Sequence, residues 1–268
     1  MIDYYRRVAS ALLPHLRGRP LTLKRYPDGV EGKFFYEKQC PSHRPEWVRT
    51  QTIPASGKKI DFCVIDDLPT LVWAANLADL ELHTSLSLVD DVQRPTMVVF
   101  DLDPGEPAAL LECCEVALLV RDTLEQLGLE SFVKTSGSKG LHFYIPLNTP
   151  ITYGETKPFA HALAKLMEKR HPDGVTSNMK KELRRGKVFI DWSQNDDFKT
   201  TVCVYSLRAR ERPTVSSPLR WEEVQDALGA GDPERIVFDS EQALERVERL
   251  GDLFEPVLRL EQQLPQLG

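Results

Sequence analysis

Three carboxylates and a short glycine-rich segment between them carry the chemical potential of this sequence. Asp101 and Asp103 close the apolar run in PTMVVFDLDPGE, and Asp191 closes a second run in GKVFIDWSQND. Residues two apart in a strand point to one face. Asp101 and Asp103 are therefore expected to project side by side, with Leu102 turned into the core. Three acids at the ends of buried strands repel one another unless cations lie between them. Oxygen-rich clusters of this kind suit Mg2+ or Mn2+. Two such ions clamp the attacking and leaving oxygens of an in-line phosphoryl displacement. A lone D-x-D is also an ordinary way for a strand to stop, so the segment between the acids decides the reading.

That segment, residues 134–147, reads KTSGSKGLHFYIPL. Residues 131–135 and 141–147 read as strands, joined by Ser136-Gly137-Ser138-Lys139-Gly140. The two glycines permit positive φ, so successive backbone N–H groups can converge on an anion. Ser136 and Ser138 add hydroxyl donors, Lys139 adds a charge, and His142 follows on the next strand. The pattern is not a Walker A loop, which runs G-x-x-x-x-G-K-[ST] into a helix; here the continuation is a strand. An ordinary hairpin turn has a similar composition. Beside the acid cluster, a triphosphate site is the better reading.

The elements that must position these groups follow from periodicity. Residues 3–16 predict a helix, and 21–25 and 33–37 predict strands around the turn Pro27-Asp28-Gly29. A strand over 58–64 follows Ser56-Gly57. Residues 68–80 read as a helix with Leu71, Val72, Ala75 and Leu82 towards the core, and Trp73 as a packing residue. A buried strand is expected over 97–101 and the longest helix over 107–128, with proline near its start and glycine at its end. Residues 156–170 predict an amphipathic helix capped by Thr156 or Glu155, with His161 in a surface or packing role. A basic run, Lys180, Lys181, Arg184, Arg185 and Lys187, leads into Asp191 and is read as a phosphate contact. Residues 214–218 read as a loop, a short helix starts at Trp221, and 241–250 and 254–262 read as an acidic helical tail with a packing task.

At 268 residues and 41% hydrophobic, the chain can bury a substantial core. No leader or apolar run of about 18 residues is evident, so a cytoplasmic, nucleoid-associated location without membrane contact is expected. The net charge of −6 is unevenly spread: residues 1–60 carry +7, 61–133 carry −13, 134–212 carry +7 and 213–268 carry −7. The two basic stretches hold the aromatic and glycine-rich segments, and on one face they would track a phosphate backbone. Five cysteines, an odd number, argue against a disulfide framework. Cys40-x-x-His43 offers half of a zinc site with only Cys63 nearby to extend it, and separate thiols are the expected state.

LKRYPDGV, FFYEKQ, ELH, VVFDLDPGE, KTSGSKGLHFY, GKVFIDWSQN and KTTVCVYSLRAR, in this order, resemble the polymerase domain of bacterial DNA ligase D. That family belongs to the archaeo-eukaryotic primase superfamily and serves in non-homologous end joining. The resemblance runs from Ile2-Asp3-Tyr4-Tyr5 to Gly251-Asp252-Leu253. It implies an α+β fold, a primase-polymerase core with central mixed or antiparallel β-sheets flanked by helices. One catalytic domain is expected over residues 1–268, with an N-terminal lobe to about 95, a core to about 212 and a C-terminal packing segment. It implies a metal-dependent nucleotidyltransferase adding ribo- or deoxyribonucleotides to DNA primer ends or gaps, with two Mn2+ or Mg2+ ions on Asp101, Asp103 and Asp191.

By the same resemblance, Ser136, Ser138, Lys139, His142 and Arg208 would hold the incoming triphosphate, and His83 would lie near the ribose 2′-hydroxyl. Phe35 and Tyr36 would stack on a base, and Lys24, Arg25 and Arg184 would meet phosphates. The implied partners are DNA as primer-template, gap or broken end, nucleoside triphosphates, a Ku-like end-binder and a DNA ligase. Family members usually carry a further basic N-terminal stretch that grips a downstream 5′-phosphate, whereas this sequence begins at Met1-Ile2-Asp3. The Trp that commonly follows ELH is replaced by Thr84-Ser85-Leu86. The alternatives are a haloacid-dehalogenase-like phosphatase, a gap-filling or priming polymerase outside end joining, and a non-catalytic nucleic-acid-binding module.

Overall fold

The computed structural model describes residues 1–55 and 57–265, so Ser56, of the Ser56-Gly57 pair before the strand expected over 58–64, lies outside the described residues. In chain order the elements are α1 (Ile2–Leu16), β1 (Leu21–Arg25), β2 (Phe35–Glu37), β3 (Thr50–Ala55), β4 (Lys58–Cys63), α2 (Leu68–Asn76), β5 (Asp79–Thr84), β6 (Ser87–Leu88), β7 (Asp91–Pro95) and β8 (Met97–Pro104). There follow α3 (Leu110–Gln126), β9 (Phe132–Thr135), β10 (Leu141–Pro146), α4 (Tyr153–Arg170), β11 (Val175–Thr176), β12 (Val188–Asp191), β13 (Thr201–Val202), β14 (Leu207–Arg208), β15 (Thr214–Val215), β16 (Pro218–Leu219), α5 (Trp221–Ala230) and α6 (Ser240–Leu250).

Two six-stranded sheets organise the chain. One has the order β13-β5-β1-β4-β3, with β2 added beside β1; the other has the order β11-β12-β8-β10-β9-β16. All pairings in the second sheet are antiparallel except β11 with β12, so the sheet is mixed. Alternation along β8 assigns its two faces. Val98, Phe100 and Leu102 pack with α3, α4 and α5 in one core, while Met97 and Val99 join α1, α2 and the first sheet in another. Phe100 stacks on its cross-strand partner Phe143 with ring centroids 5.0 Å apart, both fully buried. Truncating either ring to alanine would cost about 3–5 kcal/mol. The same alternation leaves Asp101 and Asp103 on the face opposite these rings, in the cleft between the sheets.

Local chemistry sets the helix ends. Asp67 accepts a hydrogen bond from the Thr70 N–H at 2.9 Å at the start of α2. The Glu155 carboxylate accepts from the Thr152 N–H at 2.9 Å, so α4 is capped at Thr152, one turn before the expected start. The helix expected over 68–80 ends at Asn76. Ala78 takes a φ of 61°, and the chain reverses into β5 beside β1. Leu80 and Leu82 belong to a period of two there, and the strand period wins because it delivers Leu82 to the core and Glu81 and His83 to one face. The tail expected as helix over 254–262 has only a 3-10 turn at Glu255–Leu258, and 214–218 holds two short strands rather than a loop. Asp252, just before the 254–262 tail, accepts from the Tyr205 hydroxyl at 2.8 Å and pairs with His15 at 2.8 Å, tying the C-terminal segment to α1. Trp73 packs against the core as expected, and His161 stacks on Trp192 at 3.9 Å.

The cysteine reading is corrected. Cys40 and Cys63 form a disulfide that joins the segment after β2 to the end of β4, so Cys40-x-x-His43 is not half of a zinc site. Cys113, Cys114 and Cys203 are free and buried. An odd count argues only against pairing every thiol; it says nothing against one pair brought together by the fold. No helix among the described residues is long and apolar enough to cross a membrane.

Candidate active site

Strand register assembles the site. Asp191 on β12 lies opposite Asp101 on β8, Asp101 lies opposite His142 on β10, and His142 lies opposite Lys134 on β9. Cross-strand partners share a face, so Asp191, Asp101, His142 and Lys134 form one row across the sheet, with Asp103 two residues along on the same side. The distant third acid thus stands beside the first two. Phe189, opposite Asp103, carries the Arg184 guanidinium over its ring at 3.6 Å. Arg184 therefore sits beside Asp103, with a further hydrogen bond from its Nη2 to the Met179 carbonyl at 2.8 Å.

The acids stand on one face but do not yet converge. Asp191 accepts from the Ser193 N–H and Oγ at 2.9 and 2.6 Å and from Gln194 Nε2 at 2.7 Å. Asp101 meets His142 Nε2 at 3.2 Å. Among the described residues, no three His, Cys, Asp or Glu side chains close on a single ion position. The electrostatics nonetheless fit a divalent cation. Burial, then the neighbouring Asp101 and Asp191, push the Asp103 carboxyl up to about 6, only partly offset by Arg184. Asp101 moves the other way: burial disfavours its charge, but His142, Lys134 and Arg208 outweigh it and hold its carboxyl below the usual range. An all-oxygen donor set with unrelieved like-charge repulsion is what a hard cation binds.

The Ser136–Gly140 turn closes one side of the cleft. Gly137 has a φ of 66°, and a Cβ there would lie 2.6 Å from Arg208 Cγ. Gly140 is needed for a different reason from the one expected. Its φ is not left-handed, but a Cβ there would fall 1.9 Å from the Leu102 carbonyl, so its bare backbone lets the turn lie against β8. Ser136 is buried, and its Oγ accepts from the Ser138 and Gly140 N–H groups at 3.2 and 3.3 Å, shaping the turn. Lys139 is exposed and, among the described residues, pairs only with the still more open Glu106, at 3.5 Å. Arg208 Nη1 donates to the Ser136 carbonyl at 2.6 Å. Asp101, Asp103, His142, Ser136, Ser138, Lys139, Arg208 and, from the facing sheet, His83 line a single open cleft.

The rim residues divide. Phe35 and Tyr36 are both exposed but stand on opposite faces of β2: Tyr36 meets His83 edge-on with centroids 5.7 Å apart and so borders the cleft, whereas Phe35 faces away from it, on the side of Arg25. Arg25 lies under Phe35 at 5.3 Å and is paired with Glu37 at 2.8 Å. Lys24 is buried below the aromatic rings, with its ammonium 3.1 Å from Glu81 and 4.6 Å from the Phe34 ring. Its reach is toward an acid of the protein, away from the open surface.

Two further groups escaped the reading of the residues. Lys134 is fully buried in the middle of β9; its Nζ donates to Ser216 Oγ at 2.6 Å and to His142 Nδ1 at 3.1 Å. Burial pulls its ammonium down to about 7. With Nδ1 accepting, His142 presents Nε2–H towards Asp101. Burial and the Lys134 charge both keep this imidazole neutral, against the pull of Asp101. A lysine inside an apolar strand was the available signal. Glu81 stands two residues before His83, so the alternation that paired Asp101 with Asp103 would have found it, had 79–84 been read as a strand.

Similarity to known proteins agrees with this geometry. The family profile described as LigD, primase-polymerase domain, matches residues 1–254. The chain is 41% identical over 259 residues to the multifunctional non-homologous end joining protein LigD of Mycolicibacterium smegmatis, covering 96% of this chain and 33% of that protein. It is 32% identical over 265 residues to the bifunctional protein LigD of Bacillus subtilis, covering 98% and 42%. The chain thus spans between a third and a half of these curated relatives. The polymerase domain of Mycobacterium tuberculosis ligase D, solved in complex with DNA, superposes with a TM-score of 0.88 at 40% identity, over 96% of this chain and 90% of that one. The phosphatase alternative has no support in these matches, and the chain belongs to the LigD primase-polymerase domain family.

Proposed function

We propose that this chain adds ribo- or deoxyribonucleotides from nucleoside triphosphates to the 3′-hydroxyl of a DNA primer, at gaps or broken ends, within end joining. By family it is a metal-dependent nucleotidyltransferase of the primase-polymerase type. The observation that carries the finer reading is the cross-strand row of Asp191 and Asp101, with Asp103 on the same face and the Ser136–Gly140 turn in the same cleft. Asp101, Asp103 and Asp191 would hold two Mn2+ or Mg2+ ions, which when bound lower the pKa of the attacking hydroxyl and neutralise the leaving pyrophosphate.

The remaining work falls to the protein. Lys139 and Arg208 counter the triphosphate charge, Ser136 and Ser138 shape and line its cradle, and His142 lines it while its Nε2–H orients Asp101. His83 lies at the sugar, and Tyr36 stacks on a base at the rim, while Phe35, on the other face of β2, is left to the Arg25 side. Arg25 and Arg184 serve nucleic-acid or nucleotide phosphates, and Lys24 supports the rim from beneath. Positioning and charge dominate, with little side-chain acid–base chemistry. A DNA ligase and a Ku-like end-binder are the partners this role requires.

The test is primer extension on gapped DNA with Mn2+ and labelled ribo- or deoxyribonucleotides, with and without a downstream 5′-phosphate. Extension by the wild type and a loss of roughly 10³-fold in Asp101→Ala are expected. Equal rates for the two proteins would refute the assignment.

A further inference from the structure

The buried acid Glu81 belongs to none of the roles above, yet it touches most of them. It is 1% exposed and does not line the cleft. Its Oε1 accepts from Lys24 Nζ at 3.1 Å, the Tyr26 hydroxyl at 3.0 Å and the Ala209 N–H at 3.1 Å. Its Oε2 meets His83 Nε2 at 3.2 Å and Arg208 Nε at 3.2 Å, the latter an ion pair without hydrogen-bond alignment. Arg208 continues to the Ser136 carbonyl, and the bare Cα of Gly137 packs on its side chain. One carboxylate therefore joins His83 to Arg208, and through Arg208 the glycine-rich turn.

This has a chemical consequence at each end. With its Nε2–H committed to Glu81, a neutral His83 keeps Nδ1 as an acceptor, the form that receives a hydroxyl proton. Burial holds His83 on the neutral side, outweighing the pull of Glu81. Arg208, drawn by charge to Glu81 on its Nε side and hydrogen-bonded through Nη1 to the Ser136 carbonyl, has one guanidinium nitrogen outside both contacts.

We propose that Glu81 is a positioning residue that fixes His83 and Arg208 relative to each other, so that a single buried carboxylate sets both the sugar preference and the grip on the triphosphate. This rests on the nucleotide reading of His83 and Arg208. An amide in its place can donate to His83 Nε2 and turn the imidazole to the other tautomer.

The experiment is a double-mutant cycle in steady-state primer extension with Mn2+, using wild type, Glu81→Gln, His83→Ala and the double variant, each checked by thermal melting. Glu81→Gln should raise the nucleotide KM about tenfold and lower the ribo-to-deoxyribonucleotide ratio of kcat/KM several-fold. In the His83→Ala background it should change that ratio by less than about twofold. Glu81→Asp keeps the charge but shortens the reach, and should raise KM in a protein that melts near the wild type. A folded Glu81→Gln or Glu81→Asp with unchanged KM and ratio overturns the proposal, as does an equal change of ratio with and without His83. If His83→Ala leaves the ratio unaltered, the failure lies in the sugar-contact reading and the proposal falls with it.

Discussion

Asp103 and Glu81 flank one cleft from opposite sheets, and their surroundings are opposite in kind. Burial and then two neighbouring acids, offset only in part by Arg184, push the Asp103 carboxyl up to about 6. Glu81 is more deeply buried, and burial works against its charge. Yet His83, Arg208, Lys24 and the Ala209 N–H together hold its carboxyl far below the usual carboxylate range. The protein supplies every cation that Glu81 meets. At Asp103 Arg184 compensates only in part, and in the proposed function a bound cation supplies the rest. The carboxylate that the fold has satisfied is the one proposed as a fixture for its basic partners, and the one left among like charges is the one proposed as a ligand.

Four measurements break or sharpen this contrast. The largest effect is expected at the ligand. Asp103→Asn should lose roughly 10³-fold in kcat/KM, about 4 kcal/mol of transition-state stabilisation. The same variant should melt slightly above wild type in chelator, because one of three like charges is gone; a lower melting temperature would erase the distinction from Glu81.

The second concerns the fixture. Glu81→Ala leaves Lys24 and Arg208 without their common acid and should cost about 3–5 kcal/mol in denaturant unfolding. The pH dependence follows from the direction of the shift. The Glu81 carboxyl titrates lower in the folded chain than in the unfolded one, so its contribution is complete above the ordinary range near ~4.3 and is lost as pH falls below it. Stability of Glu81→Gln should fall less steeply there than wild type; parallel curves would mean the acid is not held by its partners.

The third effect is ion binding in the absence of substrate. Mn2+ at about 100 times its Kd should stabilise the wild type by about 2.7 kcal/mol in thermal melting and leave Asp103→Asn unshifted. A shift of equal size in both proteins would place the ion elsewhere. The smallest is Lys139→Ala, which should raise the nucleotide KM about tenfold, roughly 1.4 kcal/mol, without a change in melting temperature. Lys139 is exposed and, among the described residues, paired only with the open Glu106, so an altered melting temperature would give it the structural character reserved for Glu81.

Much of this was legible in the residues, and the limits have physical causes. Strand alternation around FDLDP placed Asp101 and Asp103 on one face and Leu102 in the core, as β8 has them. β1 was legible to the residue, and α1 and β10 to within one. The role of Gly140 was misread because a close backbone approach leaves no mark in local sequence. The end of α2 was misread because Leu80 and Leu82 satisfy a helical period as well as a strand period until β1 is there to pair with β5.

Periodicity and turn chemistry act over a few residues, so the order of the acids, the glycine-rich turn and most elements were fixed before any fold was known. Three things needed the assembled molecule. These are the row from Asp191 to Lys134, the disulfide between Cys40 and Cys63, and the meeting of Glu81 with Arg208, 127 residues further along the chain. Each depends on how segments far apart in sequence come together, the first of them through strand register. Register is selected by the packing of both cores at once, a condition that no local stretch of sequence contains.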